Sequence, residues 1–357
     1  MCFCFKIGFT HGFTGFFVMG GWMLREFEDF LIYKADNDGA ADRTVRAYRD
    51  VLVRFEAWIN GREPFGLSGE DLLVFTGPYL HKALRLNATS RTPYVACLRG
   101  LYAWRAEVAG GANPALILPY PKKGVTLPRV LSLSNAERLM WAPDFSKFEG
   151  VRDAAMMGLL IGCGLRVSGL VGLNEGSLVI QEVGGDVRTA IKPVEKGGKQ
   201  RLIPVPKEAD LLLRVYLAHP ELEGIDRSVS GGDKVLFVTT RNRRCGAHDY
   251  YGERRRFSTR GVLKMIQRHG TAAGIPADQL HPHAMRHLYG TELAEENQDL
   301  LVRQSLLGHK SPKSTEIYTH LAMRKLTKVV DNANPMSKFN SPASQLLGNL
   351  TTPRTRR

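Results

Sequence analysis

The chain has 357 residues, 43% of them hydrophobic, which excludes a disordered or fibrous protein and gives enough length for two domains with buried cores. Its formal net charge of +14 favours a polyanionic partner, nucleic acid first. Five scattered cysteines (Cys2, Cys4, Cys97, Cys163 and Cys245) exclude a disulfide framework and fit a reducing cytoplasm.

Residues 1–22 are apolar and aromatic, with Lys6 the one fixed charge. Gly, Thr and His break the run too often for a spanning helix, so a leader outside the functional chain is expected, and no membrane partner. Residues 23–108 read as four amphipathic helices, a small bundle. Leu24, Phe27, Phe30 and Leu31 make the first apolar stripe. Val45, Tyr48, Leu52, Phe55 and Trp58 make the second, ended by Gly61. The third spans 69–84 after Ser68, and the fourth spans 90–108.

Residues 109–128 are rich in Gly and Pro, so an irregular linker is expected there, with Lys122 and Lys123 as candidate phosphate contacts. The second domain, 129–334, carries 30 Lys and Arg against 23 Asp and Glu, the larger part of the charge excess. Ser134 and Glu137 suggest a capping box, and an apolar helix runs from Arg152 to the glycines Gly162 and Gly164. Alternating β-branched and polar residues over 178–205 predict a small antiparallel sheet with a turn at Glu195, Lys196, Gly197 and Gly198. Arg241, Arg243, Arg244 and Arg254, Arg255, Arg256 flank Tyr250 and Tyr251. Such runs are solvated surface or phosphate contacts. Helices follow over 258–273 and 283–297, and another after Tyr318. Residues 335–357 are polar and basic, and a flexible tail is expected.

One ordered set of residues carries chemistry. His283, Arg286 and His287 stand at i, i+3 and i+4 and share a helix face. The spacing of the two histidines suits zinc, but Ala284 stands where a His-Glu-x-x-His motif needs Glu, and no third ligand is evident. A guanidinium between imidazoles suits a phosphate better. Leu307, Gly308 and His309 follow, and Tyr318 lies nine residues later. Tyr, Arg and His around one phosphate suggest covalent phosphoryl transfer.

This order and spacing resembles the tyrosine recombinase (phage-type integrase) family, in particular the Xer-like site-specific recombinases. Gly164, Leu165, Arg166, Val167 and Ser168 are similar to its first-arginine patch, and Thr44, Tyr48, Asp50, Phe55 and Trp58 to the first helix pair of its core-binding domain. The resemblance covers about residues 24–334. It implies a mainly α fold with a small antiparallel β-sheet: a helical-bundle core-binding domain joined to a catalytic domain, gripping double-stranded DNA.

It also implies site-specific strand exchange through a 3′-phosphotyrosyl intermediate, with no metal and no ATP, so no cofactor. Tyr318 would be the nucleophile, Arg166 and Arg286 the clamp, His309 a third donor and His283 the proton acceptor. Lys196 would be the acid for the leaving oxygen, since residues 195–201 look like the family's Gly-Lys-Gly-x-Lys-x-Arg turn; Lys199 is the alternative. His287 would orient its neighbours. Lys199 and Arg201 join the candidate DNA contacts. The expected assembly is a homotetramer on two sites, or one made with a related recombinase, in the cytoplasm on the nucleoid. One departure stands out: the family has an acid three residues after the first arginine, where this chain has Gly169. A weakened or inactive DNA-binding relic, or a topoisomerase IB-like nicking-closing enzyme, are the other readings.

Overall fold

The structure, a computed structural model, describes residues 23–122, 130–183, 186–193, 201–241, 245–296, 306 and 320–351. Labels below run over these residues. The chain divides into two compact units, with the boundary after Thr126.

The first unit is helical, as the apolar spacing predicts. Its elements are α1 (Arg25–Asp36), α2 (Asp42–Ile59), α3 (Gly69–Val74) and α4 (Ala88–Ala109). Ser68 starts α3 with a capping box to Asp71. Pro78 then removes a backbone donor, and Phe75–Ala83 continues as a wider π-helix. Phe27, Phe30, Phe55, Phe75 and Leu98 are fully buried at the centre. The expected linker is a correction in part. Pro114–Ile117 forms a 3-10 turn, and Ala115 and Leu118 are fully buried in this core. Arg99 donates to the Leu118 carbonyl at 2.9 Å. Gly and Pro density marks a turn here, but two apolar side chains are enough to seat it.

The second unit is built on α6 (Phe148–Gly162), in which every residue but Glu149 is buried. Around it lie α5 (Leu133–Trp141), α7 (Val167–Val171), α8 (Lys207–Leu217), α9 (Pro220–Glu223), α10 (Thr259–Ala272), α11 (Pro282–Glu295), α12 (His320–Ala333) and α13 (Pro342–Thr351). The cap of α5 is Ser132, which accepts from the Asn135 amide, and not the predicted Ser134. A three-stranded antiparallel sheet has the order β1 (Leu178–Val183), β2 (Asp186–Ile191), β3 (Ile203–Pro204). Ile191 pairs with Ile203, and the predicted lysine turn, between these strands in sequence, lies outside the described residues.

The tail is the clearest departure from expectation. Pro335–Lys338 is a 3-10 turn, Met336 is fully buried in the main core, and α13 lies against α8. Composition reads this stretch as polar and mobile. Its buried polar groups are satisfied locally: the Asn334 side chain donates to the Val330 carbonyl at 2.7 Å and accepts from the Ser337 amide at 3.2 Å. Residues 352–357 lie outside the described residues. Among the described residues, no helix is long and apolar enough to cross a membrane.

Candidate active site

The site is organised by the first turn of α11. His281 caps the helix, its Nδ1 accepting the Ala284 amide at 3.0 Å, and Pro282 occupies the first helical position. His283 and His287 are exposed on one face, with Arg286 half-buried between them. They line a cavity of about 540 Å³ together with Gly290, Thr291, Ala294 and Glu295.

The second arginine is joined to the first through backbone. Arg286 donates to the Gly164 carbonyl, two residues before Arg166, which caps α7. Gly164 has φ +58°, and a Cβ there would lie 2.2 Å from the Tyr289 ring. Only glycine fits both the left-handed backbone and the ring lying on it. One turn of α11 thus brings Arg286 to Gly164 and seats Tyr289 against it. The loop that positions Arg166 is fixed by the same contact.

The electrostatics follow from this crowding. His283 is held below the ordinary histidine pKa by partial burial, then by the charges of His281, His287, Arg286 and Arg166. It is a neutral imidazole, able to accept a proton, at neutral pH. Burial pushes the Tyr289 phenol up, and its hydroxyl has no hydrogen-bond partner among the described residues. Among the described residues, no group of three or more His, Cys, Asp or Glu is placed to hold a metal ion.

His309, Tyr318, Lys196 and Lys199 lie outside the described residues, as do Lys123, Arg243 and Arg244. The described residues bracket the segment that carries His309 and Tyr318. Leu306 is buried with Tyr289, Leu293, Val330 and Ala333. On the far side, Asp331 of α12 takes both arms of Arg188 from β2 in a nearly buried pair, one arm at 2.9 Å.

The basic candidates divide. Lys122, Arg241 and Arg254 are exposed. Arg256 is turned inward, donating to the Val171 carbonyl (2.9 Å), the Leu173 carbonyl (3.0 Å) and Asn174 Oδ1 (2.6 Å), and pairing with Glu253. Arg255 lies 3.8 Å from the Tyr250 ring centroid. Arg201 donates to the Leu306 carbonyl. Glu175 pairs with Arg227 at 2.6 Å.

The phage integrase family model matches residues 129–325, more than half of the chain. The chain belongs to the phage integrase family. Tyrosine recombinase XerC of Thermodesulfovibrio yellowstonii is 30% identical over 311 residues, covering 87% of this chain and 96% of that relative. Tyrosine recombinase XerD of Pseudomonas aeruginosa is 33% identical over 293 residues, covering 81% and 90%. The fold is similar to that of XerH bound to a palindromic difH substrate in a post-cleavage complex. The TM-score is 0.62 at 18% identity, over 86% of this chain and 94% of that one. The chain is a Xer-like tyrosine recombinase, an enzyme of site-specific DNA recombination.

Three features of the second unit escape sequence reasoning. Tyr289 reads as an ordinary core aromatic, yet it sets Gly164. Arg188 reads as one charge on an alternating strand, yet it holds α12. Asp153 sits fully buried inside the apolar α6 run and binds Arg152 (2.7 Å), Arg268 (2.6 Å) and His269 (2.9 Å). An acid in an otherwise apolar helix was the available signal, since a buried carboxylate needs partners.

Proposed function

We propose that the chain cuts and rejoins DNA through a 3′-phosphotyrosyl intermediate on Tyr318. The Tyr318 oxygen attacks phosphorus, a Tyr–O–P bond forms, and the P–O5′ bond breaks. His283 takes the phenolic proton, and Lys196 gives a proton to the departing 5′ oxygen. Attack by a 5′-hydroxyl from another strand reverses these steps and reseals the backbone. One phosphoester replaces another at each stage, so the reaction needs no ATP and no metal in principle.

The observation that carries this reading is that Arg286 bonds the Gly164 carbonyl, two residues before Arg166, and that the charges of both arginines act on His283. Charge gathers on the non-bridging oxygens in the transition state. Arg166 and Arg286 would meet it preorganised, with His309 as a third donor. Exchange between two duplexes breaks four strands with one tyrosine each, so the working assembly is a tetramer on two double-stranded sites. The palindromic substrate bound by XerH supports such a symmetric arrangement. Exposed Lys122, Arg241 and Arg254 would contact phosphates, and the reaction would take place on the nucleoid in the cytoplasm.

The test is adduct capture. Purified protein and nicked duplex fragments are incubated in chelator, denatured and digested, and the DNA-linked peptide is identified by mass spectrometry. Linkage at Tyr318 is expected. Linkage at another residue, or adduct only with added divalent metal, contradicts the reading.

A further inference from the structure

Arg201 stood among the candidate DNA contacts because it is a cation close to the lysine turn. Its surroundings are those of an interior residue. The guanidinium donates to the Leu306 carbonyl, and Leu306 is 1% exposed in an apolar cluster with Tyr289, Leu293 and Val330. The charge of Arg201 also acts on the buried Cys163 thiol and Tyr289 phenol. A cation among such groups is stabilised by each acceptor its N–H groups find, and the Leu306 carbonyl is one of them.

The position in the chain gives that bond its meaning. Arg201 closes the β2–β3 connection, two residues before β3. Lys196 and Lys199 lie in that same connection, and Lys196 is within roughly 17 Å of Arg201 even if the chain between them is fully extended. Leu306 opens the other segment, and His309 lies within roughly 10 Å of it by the same measure. The two segments are more than a hundred residues apart in sequence, and one guanidinium joins them.

We propose that Arg201 is a positioning residue that ties the Lys196 connection to the segment that leads from Leu306 to His309, setting acid and phosphate donor against the phosphate together. This rests on the phosphotyrosyl reading above. Arg201 touches no reacting atom. It shortens the search that two separate loops would each make for the scissile phosphate.

The test uses the full chain carrying Arg201→Met, which keeps the stem and removes the fork. Single-turnover cleavage is measured on a nicked duplex with an ordinary phosphodiester and on its 5′-bridging phosphorothioate, whose leaving group needs no proton. Cleavage of the phosphodiester is expected to fall about 100-fold. The loss on the phosphorothioate should be about tenfold or less, because the acid is no longer required. DNA affinity and its salt slope should match the unsubstituted protein. Hydrogen exchange should rise together in peptides spanning 192–202 and 303–310.

Weaker binding with a salt slope smaller by about one would make Arg201 a phosphate contact and overturn the proposal. Equal losses on both substrates, or exchange rising in one segment alone, would also overturn it. If Arg201→Met does not fold, Arg201→Lys is read in the same way, since it keeps the charge and loses the planar fork. If the unsubstituted protein forms no adduct, the phosphotyrosyl reading fails by itself. The exchange experiment then still decides the tie.

Discussion

The two units of this recombinase use their arginines differently. In the helical unit, Arg54 and Arg105 lie over ring faces, Arg54 6.0 Å from the Tyr94 centroid and Arg105 4.7 Å from that of Phe65. Arg62 and Arg99 do so as well, each also meeting one carbonyl. In the catalytic unit Arg152 and Arg255 also lie over rings, but more arginines close backbone carbonyls: Arg152 on Val238, Arg227 on Val235, Arg256 on Val171 and Leu173, Arg286 on Gly164, Arg201 on Leu306. The cause is architectural. Helices satisfy their own carbonyls along most of their length. The catalytic unit runs long irregular segments through its interior, where carbonyls lack ladder partners, and a guanidinium brings five N–H groups to them. A net charge read from sequence therefore overstates how many cations this unit turns toward DNA.

The largest effect that would break this comparison is at Arg256. Arg256→Met takes the side-chain donor from the Val171 carbonyl and the Asn174 side chain, and one of two donors from the Leu173 carbonyl, which keeps the Leu236 amide, and is expected to cost about 3–5 kcal/mol in chemical denaturation. The salt slope of DNA binding should stay as it was. A surface-like loss below about 0.5 kcal/mol with a reduced salt slope would mean that Arg256 faces phosphate after all.

Gly169 sharpens the comparison at the clamp itself. A Cβ there would meet Pro193 Cβ at 3.4 Å, an ordinary contact, so Gly169→Ala should raise stability by up to about 1 kcal/mol. Gly169→Glu places the acid implied by the family resemblance three residues after Arg166 and is expected to speed single-turnover cleavage. A slower Gly169→Glu enzyme would show that close approach to Pro193 matters more than the acid. On the helical unit's side, Arg105→Met should cost only about 0.5–1 kcal/mol, the scale of a cation over a ring. A loss as large as that at Arg256 would erase the distinction.

The smallest expected effect is a shift in pH dependence. With His283 as the proposed proton acceptor, cleavage is expected to fall as pH drops through its pKa, which partial burial and then its charged neighbours hold below the ordinary value. His287→Gln removes one of those neighbours, so the pKa rises and the acid limb of the pH–rate profile moves to higher pH. A limb moving the other way would exclude His283 as the group titrating.

Much of the fold was legible because apolar spacing reports burial directly. Phe27, Phe30, Phe55 and Leu98 announce the helical unit, and β-branched alternation announces the sheet. Where the chain buries only one or two side chains in polar surroundings, as at Ala115, Leu118 and Met336, composition points the wrong way. The site was read as an ordered set of residue types, of which the described residues hold Arg286 bonded to the Arg166 loop, with both charges acting on His283. The parts that were not legible act through backbone: the Gly164 carbonyl under Arg286, the carbonyls around Arg256, and the Leu306 carbonyl on Arg201. Nothing in a side-chain pattern shows which carbonyl a guanidinium will find.

The central claim is that this clamp serves covalent cleavage by Tyr318, and one substitution tests it most directly. Tyr318→Phe removes a single oxygen and leaves the arginines and the fold in place. On a nicked duplex, the account predicts complete loss of the protease-sensitive DNA adduct with DNA affinity within about twofold of the unsubstituted protein. An adduct that persists in Tyr318→Phe would contradict it.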